Sequence, residues 1–261
     1  MAEGGNQVVG ELLIENVVKK FDSVTALNGL DLKVKSGSFV SLIGPSGCGK
    51  STLLRIIGGL DKATSGKVYL DDNEITGPGS DRGFAFQASN LFAWLTVEQN
   101  IAFGLKARHI YEEHKDDVQE YIKMAGLVGF EKSYPHQLSG GMQQRASLAR
   151  ALVGHPSVLL LDEPLGALDA FTRMKLQDDI LDIWKKNNMT MIMVTHDVDE
   201  AIYMSDQVVV MSSRPSKIEE IIDIDLPRPR ARAQDTFGEY RTRILNVLDL
   251  GGKVSDVEYY L

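Results

Sequence analysis

Four short apolar runs punctuate the chain: FVSLI at 39–43, VLLLD at 158–162, TMIMVT at 190–195 and DQVVVMS at 206–212. They lack the polar alternation of a strand with one wet face, so they predict strands buried on both sides, as in a parallel sheet covered by helices. Helical text lies between them, the order of an α/β protein. FVSLI runs through GPSGCGKST into LLRIIGGL, where the apolar spacing turns helical and Gly58-Gly59 supplies a stop signal. Before it, 12–21 and 30–34 read as strands with alternating positions, and 68–70 and 83–86 as further short strands. The pattern therefore predicts a mostly parallel core sheet with an antiparallel β part.

Between Gln87 and Gly154 the text changes. Helices are predicted over 97–105, 112–127 and 143–153, with no buried strand among them. The expected organisation is an α/β core formed by 11–87 and 155–225, interrupted by a helical subdomain at 88–154. A short extension follows at 226–261, proline-punctuated and then helical over 236–248. Residues 1–10 are small and polar and read as frayed. No internal repeat suggests a solenoid.

The chain has 261 residues, enough to bury a core without disulfide or metal staples. Its formal charge of -8 argues against a broad nucleic-acid footprint. One cysteine, Cys48, excludes an intrachain disulfide and fits a reducing compartment. No apolar run approaches the ~20 residues that span a bilayer, and the first residues do not read as a secretion signal.

The chemistry begins at Gly44-Pro45-Ser46-Gly47-Cys48-Gly49-Lys50-Ser51, which fits G-x-x-x-x-G-K-[ST] after a strand and before a helix. Glycines let backbone N–H groups curl around phosphate oxygens, and the helix N-terminus through Thr52 adds partial positive charge. Lys50 reaches the terminal phosphates and the Ser51 hydroxyl can hold Mg²⁺, so the loop predicts a nucleoside triphosphate site. Asp162 closes the second apolar run, at the strand end where α/β sheets bind ligands, and can also hold Mg²⁺. Glu163 beside it can polarise an attacking water.

Leu138-Ser139-Gly140-Gly141-Met142-Gln143-Gln144-Arg145, set between the phosphate loop and VLLLDEP, resembles the signature of ATP-binding cassette (ABC) ATPases. Gln87 resembles that family's Q-loop glutamine, Ala167-Leu168-Asp169 its D-loop, and His196 its switch histidine. Phe21 stands where the family has an aromatic that stacks on adenine. The resemblance, over about 11–225, implies an ABC-type P-loop NTPase acting as a homodimer with two ATP molecules between subunits. Each site would take Lys50, Ser51, Gln87, Asp162, Glu163 and His196 from one chain, with Gln87, Ser51 and Asp162 around Mg²⁺. Ser139, Gly140, Gly141 and Gln143 would come from the partner.

A single set of motifs and no membrane segment resembles the free-standing ATPase subunits of ABC importers. The resemblance implies transmembrane permease subunits, an external solute-binding protein acting through them, and a place on the cytoplasmic face of the membrane. GPGSDRG (77–83), GALDAFTR (166–173) and LPRPR (226–230) are similar to the branch importing nitrate, sulfonates, taurine and related solutes. Leu91, Phe92, Trp94 and Leu95 form an apolar group read as the permease-facing surface. The alternative is a non-transport ABC ATPase with a regulatory or nucleic-acid-associated role, which the acidic charge disfavours; no nucleic-acid partner is expected.

Overall fold

A computed structural model describes residues 10–166 and 168–249. The expectations for residues 1–9, for Ala167 and for 250–261 lie outside the described residues. The described residues form two sheets. Strands β1 (Leu12–Phe21), β2 (Val24–Val34), β4 (Ser65–Leu70) and β5 (Asn73–Glu74) make an antiparallel sheet in the order β2-β1-β4-β5. The second sheet has the order β10-β9-β3-β8-β7-β6, from β3 (Phe39–Ile43), β6 (Arg82–Ala85), β7 (Val158–Asp162), β8 (Thr190–Val194), β9 (Gln207–Met211) and β10 (Ile218–Asp223). Strands β9, β3, β8, β7 and β6 run parallel. Only β10 runs antiparallel, at one edge.

The apolar runs are buried on both faces, and the twofold strand period divides their side chains between two cores. Val158, Leu160, Ile192 and Val194 pack toward the antiparallel sheet and α1 (Lys50–Ile57). Leu159, Leu161, Met191 and Met193 face the other way, into a cluster shared with α2 (Val97–Ala107), α3 (Tyr111–Met124), α4 (Gly140–Leu152) and α5 (Ala170–Asn187). The helical segment thus shares a continuous apolar core with one face of the parallel sheet.

Two details differ from the sequence reading. Helix α4 begins at Gly140, not at 143, because Ser139 caps it by accepting from the Met142 N–H at 3.3 Å. Strand β10 occupies 218–223, where the sequence predicts no strand. The tail forms the helix expected there: α7 (Asp235–Val247) packs Phe237 and Ile244 against Ile202, Val208 and Val210 on α6 (Val198–Met204) and β9. Arg230, only 5% exposed, ties this tail down. Its guanidinium donates to the carbonyls of Leu226, Ile202, Ser205 and Ile224. Burial lowers its pKa to about 10.

Candidate active site

The C-terminal ends of β3, β7 and β8 converge on one cavity of about 500 Å³, lined by Ser46, Gly47, Gly49, Lys50, Ser51, Thr52, Glu163 and His196. Gly49 caps α1 at φ +120°, and a Cβ there would stand 2.7 Å from Leu27 Cδ2. Only glycine fits both the backbone and the space. Because Gly49 has no side chain to cap α1, the first-turn N–H groups at Lys50, Ser51 and Thr52 face the cavity mouth, a ready anion seat. Lys50 is 6% exposed, and its ammonium donates to the Gly44 and Pro45 carbonyls at 2.8 and 3.0 Å. Cys48 is buried, with Sγ 3.9 Å from Lys50 Nζ.

Ser51 Oγ donates to Asp162 Oδ1 at 2.8 Å, joining the phosphate loop to the end of β7. Burial raises the Asp162 pKa, and the Ser51 hydrogen bond partly opposes this. The hydroxyl and carboxylate are adjacent hard oxygen donors beside a phosphate seat, a set that fits Mg²⁺. Gln87 Nε2 donates to Glu163 Oε2 at 2.9 Å, which leaves the amide oxygen for a cation or water. His196 Nδ1 lies 3.7 Å from the same Glu163 oxygen. Glu163 sits at φ +46°, a left-handed conformation costly to a residue with a Cβ, by ~1–2 kcal/mol. Such outliers gather where geometry serves chemistry.

Other sequence-selected residues lie elsewhere. None of Ser139, Gly140 or Gly141 lines the cavity. Ser139 and Gly140 are exposed at the start of α4, whose first turn carries no acidic residue. Gln143 is turned into its own chain: Nε2 donates to the Pro135 and Leu138 carbonyls, and Oε1 accepts from Ser89 Oγ. Asp169 caps α5 by accepting from the Thr172 N–H at 3.0 Å. Phe21 ends β1 with 48% exposure, its ring under Lys19 Nζ at 4.8 Å. Trp94 is 73% exposed and packs on Phe92, which also meets Phe103.

Two side chains near the site escaped the sequence reading. Arg173 Nη2 donates to the Leu168 carbonyl at 3.1 Å, and Nη1 lies 3.6 Å from Asp197 Oδ2. It thereby links the segment before α5 to the residue after His196. Arg214, in the turn after β9, lies against the phosphate loop: a Cβ on Gly47 would come within 3.3 Å of its Nη2. Neither position carries a local motif, since both act through tertiary contact.

Residues 27–166, more than half of the chain, match the family described as ABC transporter. The chain belongs to the ABC transporter family. It is an ATP-binding cassette, and cassettes of this family are ATPases coupled to transport. The cassette is 51% identical over 243 residues to an uncharacterized ABC transporter ATP-binding protein of Methanocaldococcus jannaschii, covering 91% of each chain. It is 49% identical over 245 residues to an aliphatic sulfonates import ATP-binding protein, SsuB, of Bacillus cereus, covering 92% of this chain and 97% of that one. Among solved structures, a dimeric cassette in a post-hydrolysis state bound to ADP and Pi aligns with TM-score 0.72 and 34% identity, over 83% of this chain and all of that one. A cassette from Clostridium perfringens, part of an ABC transporter complex, aligns with TM-score 0.75 and 27% identity, over 90% of this chain and 94% of that one.

Proposed function

We propose that this cassette powers uptake of a small solute, a sulfonate such as taurine first of all and nitrate next, through a separate permease. The observation carrying the solute class is the near full-length similarity to a sulfonate-import subunit, at 49% identity. In this reading the subunit is a peripheral protein on the cytoplasmic side of the membrane, and an external binding protein delivers the solute.

ATP would lie in the cavity with its phosphates against Lys50 and the first turn of α1. Gly44, Pro45, Ser46, Gly47, Cys48, Gly49 and Thr52 shape and line that seat, and Phe21 offers an exposed ring for the base. Ser51 and Asp162, with the Gln87 amide oxygen, would hold Mg²⁺, which neutralises phosphate charge when bound. Glu163 accepts a proton from the attacking water as its oxygen bonds to the γ-phosphorus and the bond from that phosphorus to the β–γ bridging oxygen breaks, releasing ADP and phosphate. Its Oε2 is engaged by Gln87, so Oε1 is the oxygen placed to do this. His196, 3.7 Å from that carboxylate, orients the water and the phosphate.

The cavity takes no lining residue from 139–141, and a second copy would supply Ser139, Gly140 and Gly141 to the γ-phosphate. Gln143, bound within its own chain, holds the segment in shape. Asp169 acts similarly, as the cap of α5 beside that interface. The exposed Trp94 and Phe103 on the 88–154 segment, with the half-buried Phe92 between them, would receive the permease.

The deciding experiment is affinity purification from native membranes, then ATPase assay with the co-purified permease in vesicles. Stimulation by alkanesulfonate or taurine supports the solute class. Stimulation only by chemically unrelated solutes overturns it, and recovery without any membrane protein overturns the importer reading.

A further inference from the structure

Far from the phosphate cavity in sequence, three ligand-type side chains converge. His114 and Asp117 sit in the first turns of α3, and His155 follows α4. His114 Nδ1 lies 2.8 Å and His155 Nε2 2.9 Å from the same carboxylate oxygen, Asp117 Oδ2. All three donor atoms fall within 4.8 Å of one another.

The backbone is bent at both histidines. His114 leaves helical geometry inside α3, at φ -120° and ψ 15°. His155 is left-handed at φ +50°. The two irregularities belong to segments about forty residues apart, yet both bring an imidazole nitrogen to one oxygen. The side chains are between 30 and 51% exposed, so the group is open to ions from solvent. Hydrogen bonds from His155 and then His114 keep the Asp117 carboxyl below its ordinary pKa, hence anionic at neutral pH.

We propose that His114 Nδ1, Asp117 Oδ2 and His155 Nε2 form a zinc site, with water as the fourth ligand. Two imidazoles and a carboxylate suit this borderline ion. Ligand atoms around tetrahedral zinc lie ~3.3 Å apart. The two contacts to Asp117 Oδ2 need open by only about half an ångström to reach that spacing, and the two imidazole nitrogens, within 4.8 Å of each other, need close by no more than about 1.5 Å, within the reach of half-exposed side chains. Each neutral imidazole would present its lone pair to the ion and carry its proton on the other ring nitrogen. The ion would join α3 to the turn ending α4, and so stiffen the helix whose other end is Ser139-Gly140.

The test uses the full, untagged chain, stripped with chelator and titrated with Zn²⁺ against a chromophoric competitor. The expected result is one equivalent per chain in the wild type, lost in both His155→Asn and His114→Gln. Asparagine tolerates the left-handed backbone at 155, so this variant folds. Circular dichroism checks both. Zinc should raise the wild-type melting temperature and leave that of both variants unmoved. Co²⁺ should give tetrahedral visible bands in the wild type only. Absence of bound zinc in the wild type overturns the proposal. So does a full equivalent retained in either variant, the result expected if the histidines only hydrogen-bond Asp117 and zinc sits elsewhere, for instance in the phosphate cavity.

Discussion

Gln87 and Glu163, 76 residues apart in sequence, share a hydrogen bond of 2.9 Å at the mouth of the phosphate cavity. The bond fixes one carboxylate oxygen and leaves the other for water. Replacing Glu163 with Gln should lower kcat by ~10²–10⁴-fold, the usual worth of a positioned base, while ATP still binds. With ATP saturating and hydrolysis blocked, the variant should elute as a dimer in gel filtration. Wild-type turnover in the folded variant removes Glu163 from the role of base. A persistent monomer removes the shared site.

The Ser51–Asp162 pair makes a separate prediction. Ser51→Ala and Asp162→Asn should each raise the Mg²⁺ concentration giving half-maximal hydrolysis by about tenfold, equivalent to ~1.4 kcal/mol of lost ligation. A Mg²⁺ titration at fixed ATP measures this. An unmoved midpoint in both variants means that the cation is held elsewhere.

Arg173 bridges the Leu168 carbonyl and Asp197, beside the Glu163–His196 pair. Arg173→Ala should leave ATP affinity intact and lower kcat by roughly 10–100-fold, the scale of small misplacements. Arg173→Lys should recover only part, since one ammonium cannot span both partners. Equal losses in affinity and turnover would mark Arg173 as structural only.

Trp94 is exposed, whereas Phe92 is half-buried against Trp94, Phe103 and the Arg150 guanidinium, so their joint replacement by Ala should cost ~0.5–3 kcal/mol of stability, most of it from Phe92. Solute-stimulated turnover in vesicles should nevertheless collapse, with nucleotide binding by the isolated chain retained. An unchanged transport rate in the folded double variant would relocate the permease contact.

Glu200 is buried beside Gln177, and burial raises its pKa above 4.5. The folded state therefore binds its proton more readily than the unfolded chain, and the ionised form weakens the fold at neutral pH. Glu200→Gln should melt higher than wild type at pH 7. The advantage should shrink as pH falls through the raised pKa and vanish below the ordinary carboxylate value. A constant difference across that range would assign the effect to packing.

Much of this was legible in the sequence because it is written locally. FVSLI, VLLLD and TMIMV are apolar but for Ser41, Asp162 and Thr190, and each became a strand buried between two cores. The phosphate loop could be read because strand, glycines, lysine and helix follow one another without a break. Strand β10 escaped because half of IEEIID is acidic, its isoleucines do not alternate, and it pairs on one side only, at the sheet edge. The inward turn of Gln143 was illegible for a different reason: its partner Ser89 lies 54 residues away. Arg173, Arg214 and the tie at Arg230 were hidden in the same way, since no local pattern announces a distant carbonyl.

The left-handed backbone at Glu163 sets foldedness against work at a single codon. Glycine or asparagine there would relieve the chain and strengthen the fold, and a library sorted for heat resistance alone would enrich them. Those survivors would be durable and idle. Any effort to harden this cassette by directed evolution must therefore score phosphate release in every round.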